Sequence, residues 1–138
     1  MLRGMVLSHD RNSLLLEVAE VLSGEEGREQ VRIWGDTGWL CRPYVERFPL
    51  GSEWVIAANH CTPSYGLSGT GWKSEPDSTT TDYYVSFCGE HSVPVSEGYA
   101  VGWITSSREA GALPDSVALS DLRSLVATWK LAKEKPHD

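Results

Sequence analysis

The hydrophobic period of the chain changes once, near Pro114, and this change constrains the fold more than any other feature. Before it, short apolar segments alternate with polar residues at a period of two, as in β-strands with one buried face. After it, apolar residues recur at helical spacing, at Leu119, Leu122, Val126 and Trp129. The pattern predicts a mainly β domain with one C-terminal α-helix over about residues 119–134, capped by Ser120 and stopped by Pro136.

Polar turns separate the short strands before that point. Strand-like segments occupy 2–9, 13–22, 29–35, 53–59, 82–88, 91–95 and 99–105. Segment 53–59 is strongly apolar and is expected to be central, whereas Pro94 predicts an edge strand because proline donates no ladder hydrogen bond. This order fits a small barrel or an α+β sandwich.

The whole chain, 1–138, is expected to form a single domain. The strands would occupy about residues 2–105, and a long Gly-, Ser- and Thr-rich loop spans about 61–81. A loop of that length in a compact domain is either functional or an insertion.

The charge and hydropathy of the chain argue against nucleic-acid binding and against a membrane span. The formal net charge is −7, with 12 basic and 19 acidic residues, and nucleic-acid-binding proteins usually carry a basic patch. No apolar run reaches the ~20 residues that span a bilayer. We therefore expect neither nucleic-acid binding nor a membrane span.

An ordered set of short motifs resembles the netrin-like module, the OB-fold superfamily that includes the tissue inhibitors of metalloproteinases. The motifs are Val18-x-x-Val21-x-x-Gly24, Glu29-Gln30-Val31-Arg32-Ile33, Cys41, Phe48-x-x-Gly51-x-x-Trp54-Val55-x-Ala57 and Cys88-Gly89. They cover roughly residues 4–130. The resemblance implies a five-stranded Greek-key OB barrel and a non-enzymatic binding module.

The resemblance also implies export and a disulfide. Export places the protein outside the cell or in the periplasm if a signal preceded Met1, and a cytoplasmic location is expected otherwise. Cys41 and Cys88 correspond to a family disulfide, which would stabilise the fold by about 4 kcal/mol. The metalloproteinase inhibitors chelate zinc through an amino-terminal cysteine, and this chain has no cysteine before Cys41. Inhibition by that mechanism is not expected.

Histidines beside the cysteines offer two alternative functions. His60 and Cys61, with Cys88 and His91, could serve a small thiol-dependent enzyme or bind a metal ion. Adjacent residues of a strand point to opposite faces, so His60 and Cys61 are poorly spaced as ligands of one ion. No catalytic signature or cofactor motif accompanies them, and no cofactor is predicted.

Aromatic residues are the best candidates for a binding surface. Most of the rings are expected to fill the core, because six tryptophans cannot all be exposed in a soluble monomer. Four rings in or near loops are the candidates for exposed contacts: Trp39, Tyr44, Tyr65 and Trp72. With an acidic chain, the expected ligand is a protein, a peptide or a glycan.

Overall fold

The computed structural model describes residues 1–38, 41–61, 79–86, 91–104 and 114–133. Within them the chain forms β1 (Leu2–Asp10), β2 (Ser13–Val21), β3 (Gln30–Trp34), a 3-10 helix (Val45–Arg47), β4 (Glu53–Ile56), β5 (Asn59–His60), β6 (Tyr83–Tyr84), β7 (Ser92–Ser96), β8 (Tyr99–Gly102), β9 (Asp115–Ala118) and α1 (Leu119–Lys133). The predicted mainly β class with one C-terminal helix is confirmed.

β1 and β2 form a long hairpin because apolar residues alternate along both strands. Val6 and its partner Leu16 are buried on one face of this pair. The register shifts between Arg3 and Gly4 and again between Val6 and Ser8. Irregularities of this kind bend a strand and increase its twist, so the hairpin is curved where it meets the core.

The described strands form one sheet in the order β5-β6-β3-β2-β1-β4-β7-β8-β9. The neighbours are antiparallel except for β3 and β6, which run parallel. β4 lies between β1 and β7, which agrees with the central position predicted for the apolar segment 53–59.

The strand order shows that the prediction of a closed barrel is wrong. Across the described residues the ladders run from β5 at one edge to β9 at the other, and no ladder joins the two edges. These pairings therefore do not form the predicted five-stranded Greek-key barrel. A period of two identifies strands, but it is the same in an open sheet and in a barrel.

Apolar clusters cover both faces of β4. On one face Trp54 joins the core of β1, β2 and β3, and its ring meets that of Phe48 edge-to-face with centroids 4.8 Å apart. On the other face Val55 packs in a smaller cluster with Leu122 and Val126 of α1. The C-terminal helix therefore covers the face of the sheet opposite the larger core.

Pro94 lies in an interior strand, so the predicted edge position is wrong. β7 pairs with β4 on one side, where Pro94 is opposite Trp54, and with β8 on the other. The β7–β8 ladder contains only Ser96 and Val95 of β7. Counted from the turn, it ends at Val95, the neighbour of Pro94, because Pro94 has no N–H to donate. A shortened ladder accommodates the proline inside the sheet.

α1 begins at Leu119, as predicted, but the predicted cap at Ser120 is wrong. Its first residue, Leu119, follows β9 directly and donates its backbone N–H to the carbonyl oxygen of Gly98 at 3.0 Å. Ser120 therefore lies inside the first turn and is not the N-cap. Farther along the helix, Arg123 pairs with Glu20 of β2, and this contact lowers the pKa of Glu20. No helix in the described ranges has the length and apolar character needed to cross a bilayer.

The turn between β7 and β8 gives a prediction about stability. Glu97 and Gly98 have φ values of +51° and +81°, as in the type I′ turns that favour Asn-Gly. Because glutamate tolerates a positive φ less well than asparagine, we expect Glu97→Asn to raise the free energy of unfolding by about 0.5 kcal/mol. Urea denaturation measures the change, with Glu25→Asn, at an exposed position without a positive φ, as the control. An equal effect at both positions would contradict the turn argument.

Candidate functional site

A small open pocket lies where α1 meets the sheet. The sheet contributes Val55, Ala57, His91, Ser92 and Val93. The remaining lining residues are Met1, Trp103, Ile104, Leu122 and Trp129. The cavity volume is about 100 Å³. Its lining is mainly apolar, so the smaller of the two apolar clusters is left partly open to solvent.

Two partly exposed indole rings line this pocket. Trp129 on α1 is 38% exposed and Trp103, just after β8, is half-buried. The segment that carries Trp103 is held in place because the backbone N–H of Ile104 donates to the carboxylate of Asp115 at 3.0 Å. Large, partly exposed aromatic side chains are typical of binding surfaces.

The floor of the pocket depends on the absence of a side chain at Gly102. A Cβ placed there would meet Cγ1 of Val93 at 2.4 Å and its Cβ at 3.1 Å. Gly102 is buried and Val93 is 8% exposed. The glycine therefore allows Val93 to occupy its position in the lining.

His91 is the one described member of the predicted metal or thiol set that lines the pocket. Its carbonyl oxygen accepts the backbone N–H of Ala57 at 2.7 Å, which extends the β4–β7 pairing to the pocket. The pairing positions this residue, and no acidic side chain or cysteine joins it among the described lining residues.

Cys61 lies elsewhere, at the β5–β6 edge, and is buried. Burial raises the pKa of its thiol to about 11; nearby Arg42 lowers this pKa and Asp82 raises it. Nucleophilic cysteines are instead exposed and have a depressed pKa. Cys61 is therefore protonated at neutral pH and is poorly suited to the predicted thiol chemistry.

Asp82 organises the same edge through buried hydrogen bonds. Its carboxylate accepts the indole N–H of Trp34 at 2.9 Å and the backbone N–H of Thr79 at 3.1 Å. Its carbonyl oxygen accepts the backbone N–H of Cys61 at 2.9 Å. The contact with Trp34 satisfies a buried polar group, which gives Asp82 a structural role.

Glu26 fixes a surface loop to β6. Its carboxylate accepts the Nη2–H of Arg28 at 2.6 Å and the phenol of Tyr83 at 2.7 Å. The ring of exposed His60 lies against Tyr83 with centroids 4.4 Å apart. Hydrogen bonds, chiefly from Arg28, lower the pKa of Glu26 to about 2. This cluster holds the short parallel pair β3–β6 in place.

The low pKa of Glu26 predicts a loss of stability in acid. Its pKa rises from about 2 in the folded chain to an ordinary 4.5 on unfolding. Ionised Glu26 therefore stabilises the fold above about pH 4.5, and this contribution is lost as pH falls toward 2. We expect Glu26→Gln to cost about 1.5 kcal/mol at pH 7 and much less near pH 2. Urea denaturation at both pH values measures this, and Glu25→Gln is the neighbouring control. A pH-independent cost of Glu26→Gln would contradict the argument.

The other cysteines and histidines predicted as a disulfide or metal site lie away from the pocket or outside the described residues. Cys41 is exposed and its thiol is free in this structure, which gives the predicted Cys41–Cys88 disulfide no support. Cys88 lies outside the described residues, so the pairing stays a prediction. His60, in β5, is exposed, whereas Cys61, directly after this strand, is buried. In the part of the chain that the structure describes, no three acidic, histidine or cysteine residues are grouped as metal ligands.

The predicted aromatic surface is described only at Tyr44, which is 57% exposed. Trp39, Tyr65 and Trp72 lie outside the described residues. Sequence reasoning missed that Trp103 and Trp129 line one pocket. The available signal was the position of Trp129 at the end of the apolar stripe of the helix.

A comparison with known proteins finds no matching family model, curated protein or solved structure.

Proposed function

We propose that this chain is a non-catalytic interaction module that binds a protein or peptide partner at the pocket between α1 and the sheet. The observation that carries the proposal is an open apolar pocket flanked by the partly exposed rings of Trp103 and Trp129. Such a pocket receives an anchoring side chain of the partner, while the indole rings cover the surrounding backbone.

The chemistry of the lining favours a polypeptide over the other partners. Sugar hydroxyls lose free energy when they enter an apolar site without hydrogen-bond partners, which disfavours a glycan here. The formal net charge of −7 disfavours nucleic acid. The protonated, buried thiol of Cys61 gives the thiol-enzyme alternative little support.

The netrin-like resemblance points to the same class of function but stays a prediction. It concerns motif order along the chain, whereas the present proposal rests on the pocket. The two are independent, so a failure of the superfamily assignment leaves the binding proposal intact.

Selection of phage-displayed random 12-residue peptides on the immobilised chain tests the proposal. The blocking variant is Ala57→Leu, which adds three carbons to the lining of the pocket. The matched control is Ala127→Leu, the same change at an exposed position of α1 outside the pocket. Circular dichroism of both variants verifies that they are folded.

We expect selected peptides that bind the wild type and Ala127→Leu equally and bind Ala57→Leu at least about tenfold more weakly. Binding of all selected peptides to Ala57→Leu with unchanged affinity would overturn the pocket as the site. A selection that yields no binder above background would overturn the proposal as a whole.

A further inference from the structure

The geometry points to a more specific property, which rests on the proposed function: the pocket is selective for one uncharged, branched aliphatic side chain of valine or leucine size. Three features of the described lining carry this inference. They are the cavity volume, the charge of the lining and the position of Val93 above Gly102.

The cavity volume limits the size of the occupant. At about 100 Å³ the cavity is smaller than the ~150 Å³ apolar cavity that accommodates a benzene ring. A branched aliphatic group fills such a space with fewer voids than a methyl group leaves, and it needs less room than a phenyl or indole ring. Because the pocket is open to solvent, its volume limits the part of a side chain that the lining can enclose. A valine or leucine side chain fits within that space, whereas an aromatic ring would extend beyond it.

The charge of the lining limits the chemistry of the occupant. The residues described around the cavity include no aspartate, glutamate, lysine or arginine. A cationic side chain entering this site would lose its hydration without gaining a carboxylate partner. The amino group of Met1, the cationic group of the described lining, already donates to the carbonyl oxygen of Ser23 at 2.6 Å. The occupant is therefore uncharged.

Val93, packed against Gly102, limits how large a side chain the pocket can enclose. The isopropyl group of Val93 lies over Gly102, where a Cβ would approach it to 2.4 Å. Val93 is held by the β4–β7 ladder opposite Val55, and both residues line the pocket. Because this floor is packed on the glycine, Val93 cannot retreat to admit a larger ring, and we assign it the role of a specificity-determining residue.

Binding of three N-acetyl amino-acid amides to the isotope-labelled chain tests the inference by NMR. The probes are the amides of alanine, leucine and phenylalanine, and the signals followed are the backbone amides of Val93 and Leu122. A leucine side chain buries more apolar surface in the pocket than the methyl group of alanine does. We therefore expect the leucine amide to bind about tenfold or more tightly than the alanine amide, and more tightly than the phenylalanine amide.

Enlarging the floor is expected to reverse this order. Val93→Ala removes two carbons from the lining, so the phenylalanine amide should bind about tenfold more tightly to this variant than to the wild type. If Val93→Ala does not fold, Ala57→Leu provides the opposite change, and we expect it to weaken the leucine amide about tenfold. Ala127→Leu is the control for both.

Each result has a defined meaning. A wild type that prefers the phenylalanine amide, or treats all three amides alike, overturns the selectivity. So does an order that neither lining variant changes. If selected peptides still depend on Ala57 in that case, only the ligand class is wrong. If their affinity is also indifferent to Ala57→Leu, the proposed function fails with it.

Discussion

Replacement of Gly4 by alanine is expected to lower the free energy of unfolding by about 3 kcal/mol or more. A Cβ at Gly4 would lie 2.2 Å from the carbonyl oxygen of Glu17 and 2.9 Å from Cγ of Leu16. The first contact is with backbone and the second with a fully buried side chain, so neither can move freely. Overpacking alone typically costs 1–3 kcal/mol, and a shift of the hairpin backbone adds to that.

The position of Gly4 explains why the effect should be large. It pairs with Val18 at the register shift of the β1–β2 hairpin and with Trp54 of β4. Displacing β1 here disturbs both of its neighbours at once. Urea denaturation followed by circular dichroism gives the change in the free energy of unfolding. Circular dichroism is preferred to fluorescence because its signal does not depend on the surroundings of one tryptophan.

Gly27→Ala is the matched control for this prediction. A Cβ at Gly27 meets no atom within 4 Å, and its φ is not among the positive values. Restriction of the unfolded chain should leave this variant neutral or up to about 1 kcal/mol more stable. Similar losses in Gly4→Ala and Gly27→Ala would mean that the close approach at Gly4 is not the cause.

The strands and the helix could be predicted from the sequence because their signals are local. Alternation along Ser13–Val21 identified β2 despite several good helix-forming residues, since burial of one face outweighs intrinsic propensity. The same reasoning located the helical stripe, of which Leu122 and Val126 are buried. These predictions need only the spacing of residues along one segment.

Strand order could not be predicted in this way. The parallel pair of β3 with β6 is two residues long at Tyr83–Tyr84, too short for any period to show. Its position depends instead on contacts between distant residues, such as the 2.7 Å hydrogen bond from Tyr83 to Glu26. The interior position of Pro94 likewise depends on where a neighbouring ladder ends.

The pocket was equally inaccessible to sequence reasoning. Ala57, Trp103 and Trp129 come from three separate segments, and only the packing of α1 on the sheet brings them together. The candidates chosen for chemistry, His60 in β5 and Cys61 directly after it, belong to the β5 edge of the sheet, away from the strands that line the pocket. There the thiol is buried and the imidazole lies on Tyr83, so their residue types suggested reactivity that their surroundings do not support.

Asp82→Ala is expected to destabilise this edge by about 1–3 kcal/mol, chiefly because it leaves the buried indole N–H of Trp34 without its acceptor. The substitution removes the acceptor of the indole N–H of Trp34 and of the backbone N–H of Thr79. A donor left unsatisfied in the interior costs about 1–3 kcal/mol, and Asp82 itself is 8% exposed. Asp10→Ala is the matched control, because exposed Asp10 pairs with Arg32 at 3.3 Å, and exposed ion pairs contribute about 0.2–1 kcal/mol.

A double-mutant cycle with Trp34→Phe separates the hydrogen bond from other effects of losing the carboxylate. Phenylalanine retains an aromatic ring but has no N–H. In the double variant, removal of the Asp82 carboxylate therefore leaves no buried indole N–H without an acceptor. We expect the cost of the double variant to be smaller than the sum of the single costs by about 1 kcal/mol. Strict additivity would show that the Trp34–Asp82 contact does not couple β3 to the segment before β6. The destabilisation by Asp82→Ala would then come from Thr79 and from the turn that leads into Tyr83.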